Sequence, residues 1–218
     1  FAVPLLQDTE VEGDQAFAVW LRNPSAGVQL FQPNATVTIL DDDAGLVLSS
    51  ATYEVNEADT NLVVTVIRTN SNLGTVSVNY VTSDGTAVAN EDYAPVNGQL
   101  TFAPGESVKT FLVPIINDTE VEGDETFNIT LFNPSAGAKL LSPSTAVATI
   151  VDNDAGLSFS SASYSVGEGG VNATITVVRT GVTNSLVAVN YTTANGTAKA
   201  GEDYHATSGT LFFNPGQL

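Results

Sequence analysis

Asp8-Thr9-Glu10-Val11-Glu12-Gly13-Asp14 recurs unchanged at Asp118 to Asp124, an offset of 110 residues, and this repetition constrains the fold more than any other feature. Asn23-Pro24-Ser25-Ala26-Gly27 recurs at Asn133 to Gly137 with the same offset. Beyond one inserted residue the offset is 111, so that Asp41-Asp42-Asp43-Ala44-Gly45 matches Asp152-Asn153-Asp154-Ala155-Gly156. At that offset Tyr80 matches Tyr191, Glu91-Asp92-Tyr93 matches Glu202 to Tyr204, and Pro104-Gly105 matches Pro215-Gly216. A period near 110 is too long for a solenoid and has the size of a domain. Its phase divides the chain into residues 1–44, the second half of a unit; 45–155, a whole unit; and 156–218, the first half of another.

Within the whole unit the apolar residues alternate with period two. Leu62, Val64, Val66 and Arg68 share one face of a run, as do Val76, Val78 and Tyr80, and Phe127, Ile129 and Leu131. Val, Ile, Thr, Phe and Tyr fill these runs, and Gly, Pro, Asn and Asp punctuate them. Seven strands are predicted near 46–55, 61–69, 75–82, 98–103, 108–116, 125–132 and 145–151. No stretch carries a sustained 3.6 period. The expected fold is all-β, with tandem immunoglobulin-like antiparallel β-sandwiches. With no cysteine in the chain, the intersheet disulfide of antibody domains cannot form.

Six Lys and Arg stand against 24 Asp and Glu, a formal charge of −18, so nucleic acid and anionic lipid surfaces are poor partners. No apolar run approaches the roughly 20 residues of a spanning helix. Phe1 lies in an apolar stretch and methionine is absent, which reads as an internal or processed piece of a longer chain.

The acids gather at strand ends: Glu57; Asp92; the loop from Asn117 through Asp118, Glu120, Glu122 and Asp124 to Glu125; and Asp152-Asn153-Asp154. Carboxylates crowded at one end of a sandwich repel unless neutralised. A hard cation taking six to eight oxygens suits such flexible loops, Ca²⁺ better than Mg²⁺. Chemistry of other kinds lacks its parts. His205 is the lone histidine, no cysteine is present, and Gly167-Glu168-Gly169-Gly170 has no phosphate-loop lysine, so no enzyme is expected.

The order Asp-Gly-Thr-Ala (84–87), Glu-Asp-Tyr (91–93), Phe-x-Pro-Gly-Glu (102–106), Ile-Ile-Asn-Asp with Glu-Gly-Asp-Glu-x-Phe (115–127) and Thr-Ile-Val-Asp-Asn-Asp-Ala-Gly (149–156) closely resembles the Calx-beta domain. The resemblance runs through the whole chain. It implies a sandwich that holds Ca²⁺ at one tip, and as ligands Glu57, Asp92, Asn117, Asp118, Glu122, Glu125, Asp152 and Asp154, with the main-chain carbonyl of Glu120. Asn117 and Asn153 stand where the family's calcium-sensing members carry acids, which lowers the charge of the site. Asp84 is expected to stabilise its own turn with Gly85.

The repeat phase extends the expectation to association. Residues 156–218 of one protomer should combine with residues 1–44 of the next, and the hybrid tip would gather Glu168 and Asp203 with Asp8, Glu12, Asp41 and Asp43. Gln15 replaces the acid found at Glu125. Phe17, Val19 and Leu21 should face a core, which turns Trp20 outward as an interface anchor. Six Asn-x-Ser/Thr sequons occur, of which Asn34, Asn128, Asn172, Asn190 and Asn195 are candidate glycan sites; Asn117 lies in the acid loop. The function expected is an extracellular or cell-surface structural or adhesive calcium-binding module, a block of a head-to-tail filament or tandem array. The alternative is a regulatory calcium-sensing domain pair of a larger protein.

Overall fold

The computed structural model describes residues 1–218. Its strands are β1 (Gln15–Trp20), β2 (Asn34–Ile39), β3 (Ala44–Leu48), β4 (Thr52–Asn56), β5 (Asn61–Asn70), β6 (Val76–Asp84), β7 (Asn97–Phe102), β8 (Val108–Pro114), β9 (Glu125–Phe132), β10 (Ala138–Leu140), β11 (Thr145–Val151), β12 (Ala155–Phe159), β13 (Val177–Gly181), β14 (Val187–Thr192) and β15 (Ser208–Phe213). No helix is long and apolar enough to cross a membrane.

The central unit is a two-sheet immunoglobulin-like sandwich. One sheet has the order β10-β3-β5-β8 and the other β4-β11-β9-β6-β7. Alternation decides what lies between them: Leu62, Val64 and Val66 of β5 face Phe127, Ile129 and Leu131 of β9, and all are buried. The buried core cluster runs from Ala44 to Ile150, entirely inside this unit. Tyr80 of β6 stacks on Phe111 of β8 across the sheets at 3.9 Å between centroids, and Tyr93, in the loop before β7, stacks on Phe127 of β9 at 4.4 Å. Arg68, at the end of the apolar face of β5, is buried as well. It donates from Nε to the Ser71 carbonyl and from Nη1 to that of Gly74, both at 2.8 Å, so carbonyls rather than an acid receive its charge.

The predicted strand over 46–55 is two strands in different sheets. Leu48 pairs with Val66 in the first sheet, while Thr52 pairs in parallel with Val147 in the second. The chain crosses over at Ser49–Ala51, where Ser50 Oγ accepts from the Thr52 N–H at 3.2 Å. The sequence pattern also missed β10, three residues paired in parallel with β3.

The flanking segments form three hairpins, β1-β2, β12-β13 and β14-β15, each a separate two-stranded sheet. Phe17 and Val19 are half-buried, and Trp20 is 54% exposed with the Arg22 guanidinium 5.7 Å from its ring centroid. Leu21, expected to face a core, is 51% exposed because no second sheet lies over β1-β2.

Candidate metal centre

The tip of the central unit is assembled by three backbone-braced loops. Asp152, directly after β11, accepts the Gly123 N–H on Oδ2 at 2.9 Å and the Asp154 N–H on Oδ1 at 2.8 Å. Asp124 accepts the Asp152 N–H at 3.3 Å, closing the brace from the other side. Glu57, after β4, receives the Asp118 N–H at 2.9 Å, and Asp118 in turn receives that of Glu120 at 2.7 Å. Asp92 receives the Val88 N–H at 2.6 Å.

These bonds leave two groups of carboxylates facing one another. Glu57, Asp118 and Asp154 each offer an oxygen within 4.8 Å of the others, and so do Asp92, Glu122 and Glu125. Between them is a cavity of about 10 Å³, lined by Glu57, Asp92, Glu122, Glu125 and Asp152 among others. That is room for one water-sized centre. Asp154 Oδ2 is buried without a hydrogen-bond partner. Burial pushes the Glu125 carboxyl up to about 7, aided by its hydrogen bond to Asp92 and the charges of Asp92 and Glu122. Burial and the charges of Asp92 and Asp118 also raise Glu122. An all-oxygen set with an unpartnered buried carboxylate oxygen and raised acids fits a hard divalent cation.

Asp152 has both oxygens engaged by backbone N–H groups and serves as a brace; Asn117 Oδ1 accepts from Asn153 Nδ2 at 2.9 Å. The Glu120 side chain is exposed. Asp84 holds the Ala89 N–H and the Tyr93 hydroxyl, at 3.1 and 2.7 Å, and burial followed by that contact raises the Tyr93 pKa. Asn128, a candidate glycan site, alternates with the buried Phe127 and Ile129 and so lies on the outer face of β9, half-buried between its two neighbours, where it donates to the Asp84 carbonyl at 3.1 Å. His205 is exposed in a loop.

The first repeat of the acid loop has the same internal bonds. Asp41 accepts the Gly13 N–H at 2.6 Å and that of Asp43 at 2.9 Å, Asp8 that of Glu10 at 2.8 Å, and Asp14 that of Asp41 at 3.1 Å. The Asp43 N–H donates first among the bonds that pull the Asp41 carboxyl down to about 2. Asp43 is buried and raised by that burial and by Asp42. No group of three acids forms around Asp8, Glu12, Asp41 and Asp43, nor around Glu168 and Asp203. Two contacts to its carboxylates tie this half-tip to the central unit: Asn70 Nδ2 donates to Asp41 Oδ2 at 2.6 Å, and Lys139 pairs with Glu10 at 2.6 Å. Sequence reasoning missed both, as well as the role of Asp124, although Asp14 repeats it.

The fold and tip define a class, the immunoglobulin-like sandwich with an oxygen-donor cluster at one end. The chain belongs to the Calx-beta domain family, whose model matches residues 1–43, 44–154 and 155–218. It is 35% identical to the sodium/calcium exchanger Calx of Drosophila melanogaster, over 79% of this chain and 18% of that protein. It is 34% identical to extracellular matrix protein 3 of Lytechinus variegatus, over 98% of this chain and 7% of that protein. The chain thus spans less than a fifth of the length of either relative. Among solved structures, the apo-form Calx CBD1 domain matches with a TM-score of 0.51 and 38% identity, covering 51% of this chain and 99% of that one. The calcium binding domain CBD12 of CALX1.1 matches with a TM-score of 0.53 and 33% identity, covering 79% of this chain and 71% of that one.

Proposed function

We propose that the central unit binds Ca²⁺ through Glu57, Asp92, Asp118, Glu122, Glu125 and Asp154, and that the following unit senses its occupancy. Support comes from the similarity to a calcium binding domain and to a sodium/calcium exchanger. One observation carries the coupling. The loop that supplies Asp118 and Glu122 also lays Val121 against Gly156 and Gly181 at the start of the next unit. A cation that draws the two carboxylate groups together fixes that loop, and with it the surface on which β12-β13 rests. The reading assigns the tip a binding role and no reaction.

This favours a regulatory calcium-sensing pair over a purely adhesive block. A place outside the cell or at its surface is supported by the matrix protein among the relatives, and the exchanger is the counterweight. Calorimetric titration of the 218-residue chain with Ca²⁺ tests the binding. A Kd between roughly 10⁻⁶ and 10⁻³ M is expected for carboxylate-rich loops of this kind. No heat and no change in melting temperature would refute it.

A further inference from the structure

The loop from Thr193 to Thr207 is built bond for bond like Thr82 to Val96 of the central unit. Thr193 N–H donates to the Thr207 carbonyl at 2.9 Å and Thr207 N–H to Thr193 Oγ1 at 3.0 Å; Thr82 and Val96 exchange the same two bonds at 3.0 Å each. Gly201 N–H closes on the Tyr204 carbonyl at 2.8 Å, as Asn90 does on Tyr93. Asp203 accepts the Lys199 N–H at 2.8 Å, as Asp92 accepts that of Val88 at 2.6 Å. All of these bonds lie inside the loop, and the central unit, flanked on both sides, keeps the same geometry.

The two loops differ in the residue that their turn is built around. Asp84 Oδ1 accepts the Ala89 N–H at 3.1 Å and the Tyr93 hydroxyl at 2.7 Å. Asn195 Oδ1 accepts the Ala200 N–H and the Tyr204 hydroxyl, both at 2.8 Å. A socket that holds a carboxylate in one unit holds an amide in the next, and a glycine follows in both. Two further features surround that amide. The Lys199 ammonium, where the central unit has Val88, donates to the Gly196 carbonyl at 3.0 Å. The Gly196 N–H has no acceptor, and Asn195 and Gly196 are both exposed to water.

We propose that Asn195-Gly196 is a self-modifying site, at which the loop converts Asn195 to aspartate with loss of ammonia. The Gly196 nitrogen gives its proton to hydroxide and attacks Asn195 Cγ. The new C–N bond closes a cyclic imide as the Cγ–Nδ2 bond breaks, and Nδ2 takes a proton from water and leaves as ammonia. Water then opens the imide at Cγ to give aspartate, or at the main-chain carbonyl carbon of residue 195 to give isoaspartate. Each contact has a part in this. Glycine leaves the attacking nitrogen uncrowded, the Lys199 charge favours its deprotonated form, and Ala200 and Tyr204 donate to the oxygen on which negative charge builds. The product needs no new partner, because its carboxylate accepts the two bonds that Asp84 accepts. Each conversion adds one negative charge and ends Asn195-Gly196-Thr197 as a glycan acceptor.

The 218-residue chain is made in bacteria, so that no glycan blocks Asn195 Nδ2, and is held in mildly alkaline buffer. Peptide mapping by mass spectrometry follows the amide-to-acid mass gain, and hydroxylamine, which cleaves at the imide, reports the intermediate. Asn97-Gly98, the same dipeptide at the start of β7, is the reference. In guanidinium chloride the two should react alike. Folding should slow Asn97, which is paired with Val81, and speed Asn195 on the order of tenfold, a modest share of what polarising donors supply in a closed site. Tyr204→Phe should remove most of that gain and Lys199→Met part of it, while Lys199→Arg keeps it. Gly196→Ala, which crowds the nitrogen, should abolish the imide. Folding that slows Asn195, or a Tyr204→Phe variant that reacts as fast or faster, overturns the proposal, because the bonds then restrain the amide. Should Tyr204→Phe loosen the loop, the Lys199 pair decides: Lys199→Met reacting as fast as Lys199→Arg overturns it too. The step does not involve the cation at the central tip, so failure of either reading leaves the other standing.

Discussion

Val121 covers Gly181: a Cβ at that glycine would meet the Val121 Cγ1 at 2.7 Å and the backbone of Asp154 and Ala155 as well. Gly181 also has φ near +75°, which L side chains rarely adopt. The equivalent residue one unit earlier is Asn70, at φ 63°, whose amide reaches Asp41 instead. One junction is therefore closed by packing and the other by a charge-assisted hydrogen bond.

Replacing Val121 by Ser should loosen the packed junction without touching a carboxylate. The expected result is unchanged Ca²⁺ affinity with loss of the Ca²⁺-induced slowing of amide exchange in β12-β13. Hydrogen exchange measured with and without the ion reads both units in one experiment. Retention of the slowing in the variant would remove Val121 from the coupling.

Glu125 predicts a pH dependence. Its carboxyl is raised to about 7, so the folded metal-free chain holds this proton more tightly than the unfolded chain does. The stability it contributes is fully present below the ordinary value near 4.5 and is lost as the pH rises through about 7. Ca²⁺ bound at Glu125, as proposed, would displace the proton and reverse the loss. The gain in melting temperature on adding Ca²⁺ should therefore grow between about pH 5.5 and pH 8. A Glu125→Gln variant should show a flatter dependence, and a gain independent of pH in the unaltered chain would exclude Glu125 as a ligand.

The core makes a prediction that is independent of metal. Phe127 is fully buried and stacks on Tyr93, so Phe127→Ala should cost about 3–5 kcal/mol in urea unfolding. Tyr93→Phe keeps the stack and loses only the hydroxyl bond to the exposed Asp84, so about 1 kcal/mol is expected. Equal costs would mean that the hydroxyl, rather than ring packing, holds this corner.

Most of the strands were legible because each alternates over five or more residues between turn-forming ones, as β5 and β9 do. The crossing from β3 to β4 was not, since Ser49-Ser50-Ala51 carries neither Gly nor Pro and a switch of sheets leaves the alternation intact. Three residues were too few to reveal β10. At the tip, repetition marked the acids but not their division of labour. Spacing cannot say that Asp152 spends both oxygens on the backbone while Asp154 keeps one bare, because that depends on how the Gly123 turn folds back over β11.

The Asn117–Asn153 amide pair sets the charge of the tip, and changing it should retune the site. Asn153 Nδ2 donates to Asn117 Oδ1 at 2.9 Å, beside Asp118 and Asp154, so two neutral groups sit where carboxylates would add to the crowding. Converting both to Asp brings two more anionic donors to loops already braced by Asp152. Metal-free, the variant should melt lower, because the added charges repel Glu57, Asp118 and Asp154. With Ca²⁺ it should bind on the order of tenfold more tightly, since affinity in such loops follows the count of charged ligands. Calorimetric titration gives affinity and stoichiometry together, and chelator-treated melts give the apo penalty. A variant that melts lower but binds no better would mean that positions 117 and 153 lie outside the coordination sphere and that their amide bond serves only to join two loops.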